Sequence, residues 1–204
     1  MGRRLAIPNG GFLASQKRWR RLLGANPFPP IAAVYGADAD SWQRQYLRIL
    51  SLFEAEYGSG GVCAIGRCPA QMNMMGMHLD YGGMPSIRLA IEGLETITIA
   101  RPHHDGRVRI RSVVESGGAN PEFPSAQFDL KQCLPSDRVA SPERFKRYAV
   151  DVCNARHSRA HATRWEQLPL GVLIFLESYF RDTQPVEGLD LLVWSNIPPV
   201  GGMS

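Results

Sequence analysis

The segment that most restricts what this chain can fold into is its last one. A hydrophobic run, Leu189-Asp190-Leu191-Leu192-Val193-Trp194, is followed by Asn196-Ile197-Pro198-Pro199-Val200-Gly201-Gly202-Met203-Ser204. The run has the length and composition of a buried strand. Two prolines then end it, because neither can donate to a sheet ladder. Successive glycines before a serine let backbone N–H groups converge on an anion, as they do where a strand leads into a helix N-terminus. The segment is not the Gly-x-x-x-x-Gly-Lys-Ser/Thr loop, since no lysine precedes Ser204. By itself the segment reads equally as a plain turn or chain tail, so what it requires of the fold is a core strand delivered to a glycine-rich turn, and the anion reading needs a second motif.

The patterns upstream indicate an α+β domain, with strands and helices mixed rather than strictly alternating. Trp42, Tyr46, Ile49, Leu50, Phe53 and Tyr57 recur at helical spacing, so residues 40–57 are expected to form an amphipathic helix. Asp38, Asp40 or Ser41 is available as its N-cap, and Gly58-Ser59-Gly60-Gly61 ends it. Residues 62–65 are expected as a short strand. Thr96–Ile99 and Arg107–Val114 flank His103-His104-Asp105-Gly106, a hairpin signal. On the second of these strands Val108, Ile110 and Ser112 share one face, and Arg107, Arg109 and Arg111 share the other. Residues 142–163 and 165–180 read as two helices, and Pro169 must lie in the first turn of the second or kink it.

Composition removes several function classes. The 204 residues carry a net charge of +4, too near neutral to require a nucleic-acid partner. Lys17-Arg18-Trp19-Arg20-Arg21 is the one basic cluster and reads as a basic helix face. Leu170–Leu176 is too short to span a bilayer, so no membrane role is expected. Residues 1–11 lack the apolar core of a secretory signal. Cys63, Cys68, Cys133 and Cys153 lack metal-ligand spacing and read as reduced thiols, which suits the cytoplasm. His103 and His104 are turn residues, His157 and His161 a solvent-facing pair, and no metal site is expected. Met72, Met74, Met75, Met77 and Met84 are expected to fill core gaps.

A second motif lies in Cys68-Pro69-Ala70-Gln71-Met72-Asn73-Met74-Met75-Gly76-Met77-His78-Leu79-Asp80-Tyr81-Gly82-Gly83. It resembles the sugar-binding signature of galactokinases, in the GHMP small-molecule kinase family, whose usual string is A-P-G-R-V-N-L-I-G-E-H-T-D-Y. Matches fall at Pro69, Asn73, Gly76, His78, Asp80 and Tyr81. Leu89-Ala90-Ile91 sits where the family has Pro-x-Ala-Ile. Trp165, Gly171 and Val172 fit its W-x-x-Y-x-x-G-V helix, with Leu168 in place of Tyr. The final segment is similar to the family's N-V-P-x-G-A-G-L-S-S-S loop. The resemblance covers residues 64 to 204 and implies the GHMP N-terminal domain, which has a ribosomal protein S5 domain 2-like fold. It divides the chain into an N-terminal extension, residues 1–60, and a sugar- and ATP-binding domain, residues 61–204, expected to be incomplete at its C-terminal end.

By resemblance the substrate would meet Met77, His78, Leu79, Asp80, Asn73 and Tyr81. ATP would meet Ser112, Val200, Gly201, Gly202, Met203 and Ser204, with Mg²⁺ bridging its phosphates. His78 and Asp80 are the kinds of group that anchor sugar hydroxyls by directional hydrogen bonds. Two positions depart from the family. Gln71 stands where an Arg assists phosphoryl transfer, and Met77 where a Glu binds the sugar 6-hydroxyl. Methionine accepts hydrogen bonds only weakly, so a pentose, a 6-deoxy sugar or a uronic acid would suit the site better than galactose. Gln71 offers donors but no charge, and Arg67 is a candidate replacement cation. The family's catalytic Asp and later serines have no counterpart among the 204 residues, so the chain by itself is expected to be inactive. A non-catalytic sugar-binding protein or sensor is the competing reading.

Overall fold

In the computed structural model the described residues are 13–25, 28–76, 82–83, 85–115, 125–135, 141–158, 165, 167–183 and 185–198. The elements run β1 (Leu13–Ser15), α1 (Gln16–Gly24), α2 (Pro29–Tyr35), α3 (Ala39–Tyr57), β2 (Val62–Met75), β3 (Ile87–Pro102), β4 (Arg107–Val114), β5 (Ala126–Asp129), α4 (Leu130–Cys133), α5 (Pro142–Ser158), α6 (Gln167–Phe180) and β6 (Leu189–Ser195). The class is α+β, as expected, with a six-stranded sheet in the order β1-β2-β3-β6-β4-β5.

The sheet order corrects the expected hairpin. The strands flanking His103–Gly106 both form, but β6 lies between them as their hydrogen-bonded neighbour. A hairpin turn shows that the chain reverses; it does not exclude a later strand entering the gap. Backbone bonds from Gly106 to Glu187 and from Glu115 to Ser195 run in the same sense along both strands, so β6 is parallel to β4. That pairing requires a long crossover, here the one through β5 and the last three helices. A second correction concerns β2, which continues to Met75 rather than stopping near Ile65, so half of the Cys68–Gly83 motif is strand. Among the described residues β1 pairs only Val62–Ala64 of β2, so none of them asks Pro69 for a ladder N–H from that side.

By packing the chain forms two compact units. The first contains β1, α1–α3, β2, most of β3, and the ends of β4 and β6. Its core joins Leu23, Ile31, Tyr46, Ile49, Leu50 and Phe53 from the helices to Cys63, Ile97, Ile99, Leu192 and Trp194 from the strands. The expected helix forms as α3, and Gly58, at φ 83°, closes it through its N–H to the Glu54 carbonyl. In α1, Trp19 is buried and its Nε1 donates to the Cys63 carbonyl at 2.9 Å, so the basic cluster presents no aromatic stacking platform. Arg20 is paired with Glu54.

In the second unit Val108, Ile110, Ala126, Phe128, Leu130, Cys133, Leu170, Leu173 and Ile174 are buried. Register pairs Val108 with Phe128 and Ile110 with Ala126, which is the alternation expected for β4. The arginine face of β4 is not uniformly solvated. Arg109 Nε donates to Asp190 at 2.6 Å, and Asp190 is buried; His103 Nε2 lies 3.3 Å from the same carboxylate. Helix α6 begins at Gln167, which places Pro169 in its first turn, the first of the two expected alternatives. No described helix is long and apolar enough to cross a membrane.

Candidate functional site

Beyond Pro69, among the described residues, β2 and β3 pair only with each other, as a two-stranded ribbon. Between the pairs Pro69–Glu95 and Ala70–Ile91, β3 carries extra residues, Glu92, Gly93 and Leu94. Gly93 has φ 76°, a conformation that costs a side-chain-bearing residue about 1–2 kcal/mol. From this bulge outward Gln71 pairs with Ala90, Met72 with Leu89, and Asn73 with Arg88. Directly opposed residues share a face and alternate residues change face. One face of the ribbon therefore carries Gln71, Asn73 and Arg88. The other carries Met72 and Leu89.

Asn73 is half-buried on the polar face, and its Oδ1 is fully enclosed with no hydrogen-bond partner among the described residues. An enclosed acceptor left unpaired costs about 1–3 kcal/mol. A donor brought by a ligand, such as a sugar hydroxyl, would remove that cost. Gln71 is also half-buried on this face. The apolar face corrects the expectation for the methionines: Met72, Met74 and Met75 are 46%, 58% and 66% exposed, so they fill no core. Sequence periodicity cannot reveal this, because a two-stranded ribbon has no second layer to bury them.

The ribbon ends at Gly76. Its φ is 83°, and a Cβ there would lie 2.6 Å from the Pro85 carbonyl oxygen and 2.9 Å from Ser86 Cα. Gly76 thus brings together the two ends of the segment that holds Met77, His78, Leu79, Asp80 and Tyr81. Those five residues, with Met84, lie outside the described residues, as do Val200, Gly201, Gly202, Met203 and Ser204. Ser112 is half-buried on β4, on the face shared with Val108 and Ile110.

The start of the glycine segment is anchored. Asn196 Nδ2 donates to the Gly93 carbonyl at 2.7 Å, and its Oδ1 accepts from the Glu95 N–H at 2.7 Å. Ser195 Oγ accepts from Ile197 N and from Thr96 Oγ1, both at 3.2 Å. One asparagine side chain therefore clamps the β3 bulge at which the Gln71–Asn73 ribbon leaves the sheet. The strand before the glycines and the strand bearing Gln71 and Asn73 flank β3 on opposite sides.

Arg67 does not take the role of replacement cation. Its Nε donates to Glu95, which is completely buried, and to Tyr35 Oη at 3.0 Å. Tyr35 Oη in turn donates to Glu95 and lies 3.1 Å from Tyr46 Oη. Trp42 stacks on Tyr35 with centroids 4.6 Å apart. Burial works against the charge on Arg67, but the Glu95 carboxylate outweighs it and holds the guanidinium above its usual pKa. Burial, then the hydrogen bond to Glu95, push the Tyr35 hydroxyl far up as well. Arg67 also lies four residues before Gln71, about 13 Å away along an extended strand. Sequence alone could not show this, because Glu95 and Tyr35 are distant in the chain.

Among the described residues no cluster of His, Cys, Asp or Glu could hold a metal ion. An open cavity of about 670 Å³ is lined by His104, Asp105, Lys131, Arg181 and Glu187 among others, and no motif residue lines it.

No protein-family model matches the sequence. The chain is galactokinase-like: it is 25% identical over 167 residues to the galactokinase of Schizosaccharomyces pombe, a match taking in 78% of this chain and 27% of that protein. It also aligns with a crystal structure of Lactococcus lactis galactokinase complexed with galactose. That alignment has a TM-score of 0.47 and 19% identity, and covers 76% of this chain and 31% of that chain. The chain spans less than a third of the length of either relative.

Proposed function

We propose that this chain serves an ATP-dependent sugar kinase activity of the galactokinase type, in the cytoplasm, with a sugar and ATP as its small-molecule ligands. The observation that carries this reading is the enclosed, unpaired Oδ1 of Asn73, on a strand whose motif is galactokinase-like. Asn73, Met77, His78, Leu79, Asp80 and Tyr81 would hold the sugar. Ser112 and the backbone N–H groups of Val200, Gly201, Gly202, Met203 and Ser204 would hold the phosphates of ATP, as glycine-rich turns do. The described residues supply no acidic set for Mg²⁺, so no step of the reaction is assigned to the metal here. Residues 1–60 would act as an extension to a sugar- and ATP-binding region at 61–204.

Met77 sets the substrate preference. A buried hydroxyl facing a thioether goes unpaired at about 1–3 kcal/mol, which is tenfold or more in specificity. The preferred sugar therefore lacks a neutral hydroxyl at carbon 6, as in a pentose, a 6-deoxy sugar or a uronic acid. The chain by itself is expected to form no sugar phosphate, so the test is binding: titrate it with galactose, arabinose, fucose or galacturonic acid by calorimetry. Tighter binding of the last three is expected. Tight binding of galactose with none of the others would sink the specificity claim. A second reading, a sugar sensor without catalysis, draws on Gln71 and on the commitment of Arg67 to Glu95. Sugar and ATP binding without product, unchanged by Gln71→Arg, would favour it.

A further inference from the structure

We propose that Asn196 is a positioning residue of the sugar site: it holds the β3 bulge and, through the bulge, the aim of Asn73 at its ligand. The inference rests on the sugar-site reading above and adds to it the element that sets the geometry of the site. Three bonds tie Asn196 to the bulge. Its Nδ2 donates to the Gly93 carbonyl at 2.7 Å, its Oδ1 accepts from the Glu95 N–H at 2.7 Å, and its own N–H donates to the Glu95 carbonyl at 3.3 Å. Glu92, Gly93 and Leu94 oppose no residue of β2. The Gly93 carbonyl therefore takes from Asn196 a bond that the β2–β3 ladder does not give it. Glu95 is a firm base for the clamp, because its buried side chain is held in turn by Arg67 and Tyr35.

The sugar site is sensitive to this clamp because the ribbon acts as a lever. Ala70 and Ile91 form the first pair beyond the bulge, and Asn73 stands three residues further on, about 10 Å along an extended strand. Over that length a turn of about 6° at the bulge carries Asn73 sideways by about 1 Å. A hydrogen bond of about 2.9 Å to its Oδ1, stretched by that much, is lost. Gly93 offers no resistance of its own to such a turn. It has no side chain, its φ is 76°, and the space where a Cβ would stand is empty to 4 Å. Packing does not hold the backbone at this position; the Asn196 amide does. In the sequence Asn196 reads only as the first residue of the glycine segment, because the bulge it holds lies 103 positions away.

The test is a double-variant cycle read by calorimetry. Arabinose and galactose are each titrated into the full chain, and the more tightly bound sugar is carried through the variants. Asn196→Ala should weaken that sugar about five- to tenfold, the loss of one well-formed hydrogen bond. In the Asn73→Ala background the same change should alter sugar affinity by less than about twofold, because Asn196 acts through the Asn73 acceptor. The urea midpoint should fall by the same amount in both backgrounds. A merely structural role would instead lower sugar affinity equally in the two. Asn196→Asp keeps an acceptor for the Glu95 N–H and removes only the donor to Gly93. It should weaken the sugar at least about threefold, and it carries the test where Asn196→Ala does not fold. Sugar affinity within about twofold of the parent in a folded Asn196 variant, or equal losses in the two backgrounds, overturns the positioning role and leaves Asn73 as a sugar ligand. Failure of the unmodified chain to bind either sugar overturns the sugar-site reading and this inference with it.

Discussion

Replacing Arg67 with Met should destabilise the first unit far more than its exposed strand position suggests. Glu95 is completely buried and accepts from Arg67 Nε and Tyr35 Oη. Removing the guanidinium leaves that carboxylate with only a neutral donor. Breaking one side of a buried pair costs about 3–5 kcal/mol. The Arg67 side chain is 30% exposed, so water already screens part of the interaction, and the lower end, about 3 kcal/mol, is expected. The double variant Arg67→Met/Glu95→Gln keeps an acceptor for Tyr35 but buries no charge. It should lie within about 1 kcal/mol of the parent, so the coupling between the two changes is at least about 2 kcal/mol, plus whatever Glu95→Gln costs alone. Urea unfolding at constant m-value of the parent, both single variants and the double measures it. A single-variant loss below about 1 kcal/mol, or strict additivity in the double, would refute the assignment of Arg67 to Glu95 and reopen it as a mobile cation.

Further outcomes follow from the same geometry. Gly76→Ala forces a side chain into a left-handed position and against the Pro85 carbonyl. It should cost at least about 2 kcal/mol in unfolding and weaken sugar binding together with stability; a neutral effect would contradict the closed neck of the segment. Burial pushes the Cys63 thiol up to about 11, so iodoacetamide at pH 8 should modify the exposed Cys68 and spare Cys63 until the protein unfolds. Because the folded value exceeds the unfolded one, this contribution to stability is complete below about pH 8.5 and is lost as pH rises toward 11; a Cys63→Ala variant should show a flatter alkaline decline. Met74→Gln and Met75→Gln should each change stability by less than about 0.5 kcal/mol, whereas losses above 1 kcal/mol would indicate that these side chains are packed after all.

Local pattern carried a good part of this fold. The spacing from Trp42 to Tyr57 forms helix α3, the Gly58 stop holds, and the alternation of β4 buries Val108 and Ile110. These features depend on neighbours within a few residues. What the sequence concealed is long-range. The entry of β6 between β3 and β4 and the pairing of Arg67 with Glu95 join residues far apart in the chain. So does the clamp of Asn196 on Gly93 and Glu95. The alternation that puts Gln71 and Asn73 on one strand face follows from their spacing. What lies opposite them does not, because Ala90 and Arg88 meet them only through the register beyond the β3 bulge.

The most direct test of the central claim is a galactose titration, with arabinose and fucose in parallel, into the parent chain and into Asn73→Ala. Binding by the parent, weakened about tenfold or more in Asn73→Ala with the urea midpoint unchanged or raised, is the expected result, since the variant removes an acceptor that only the ligand satisfies. No sugar binding by a folded parent, or equal affinity in the two proteins, would contradict the assignment of this ribbon as a sugar site.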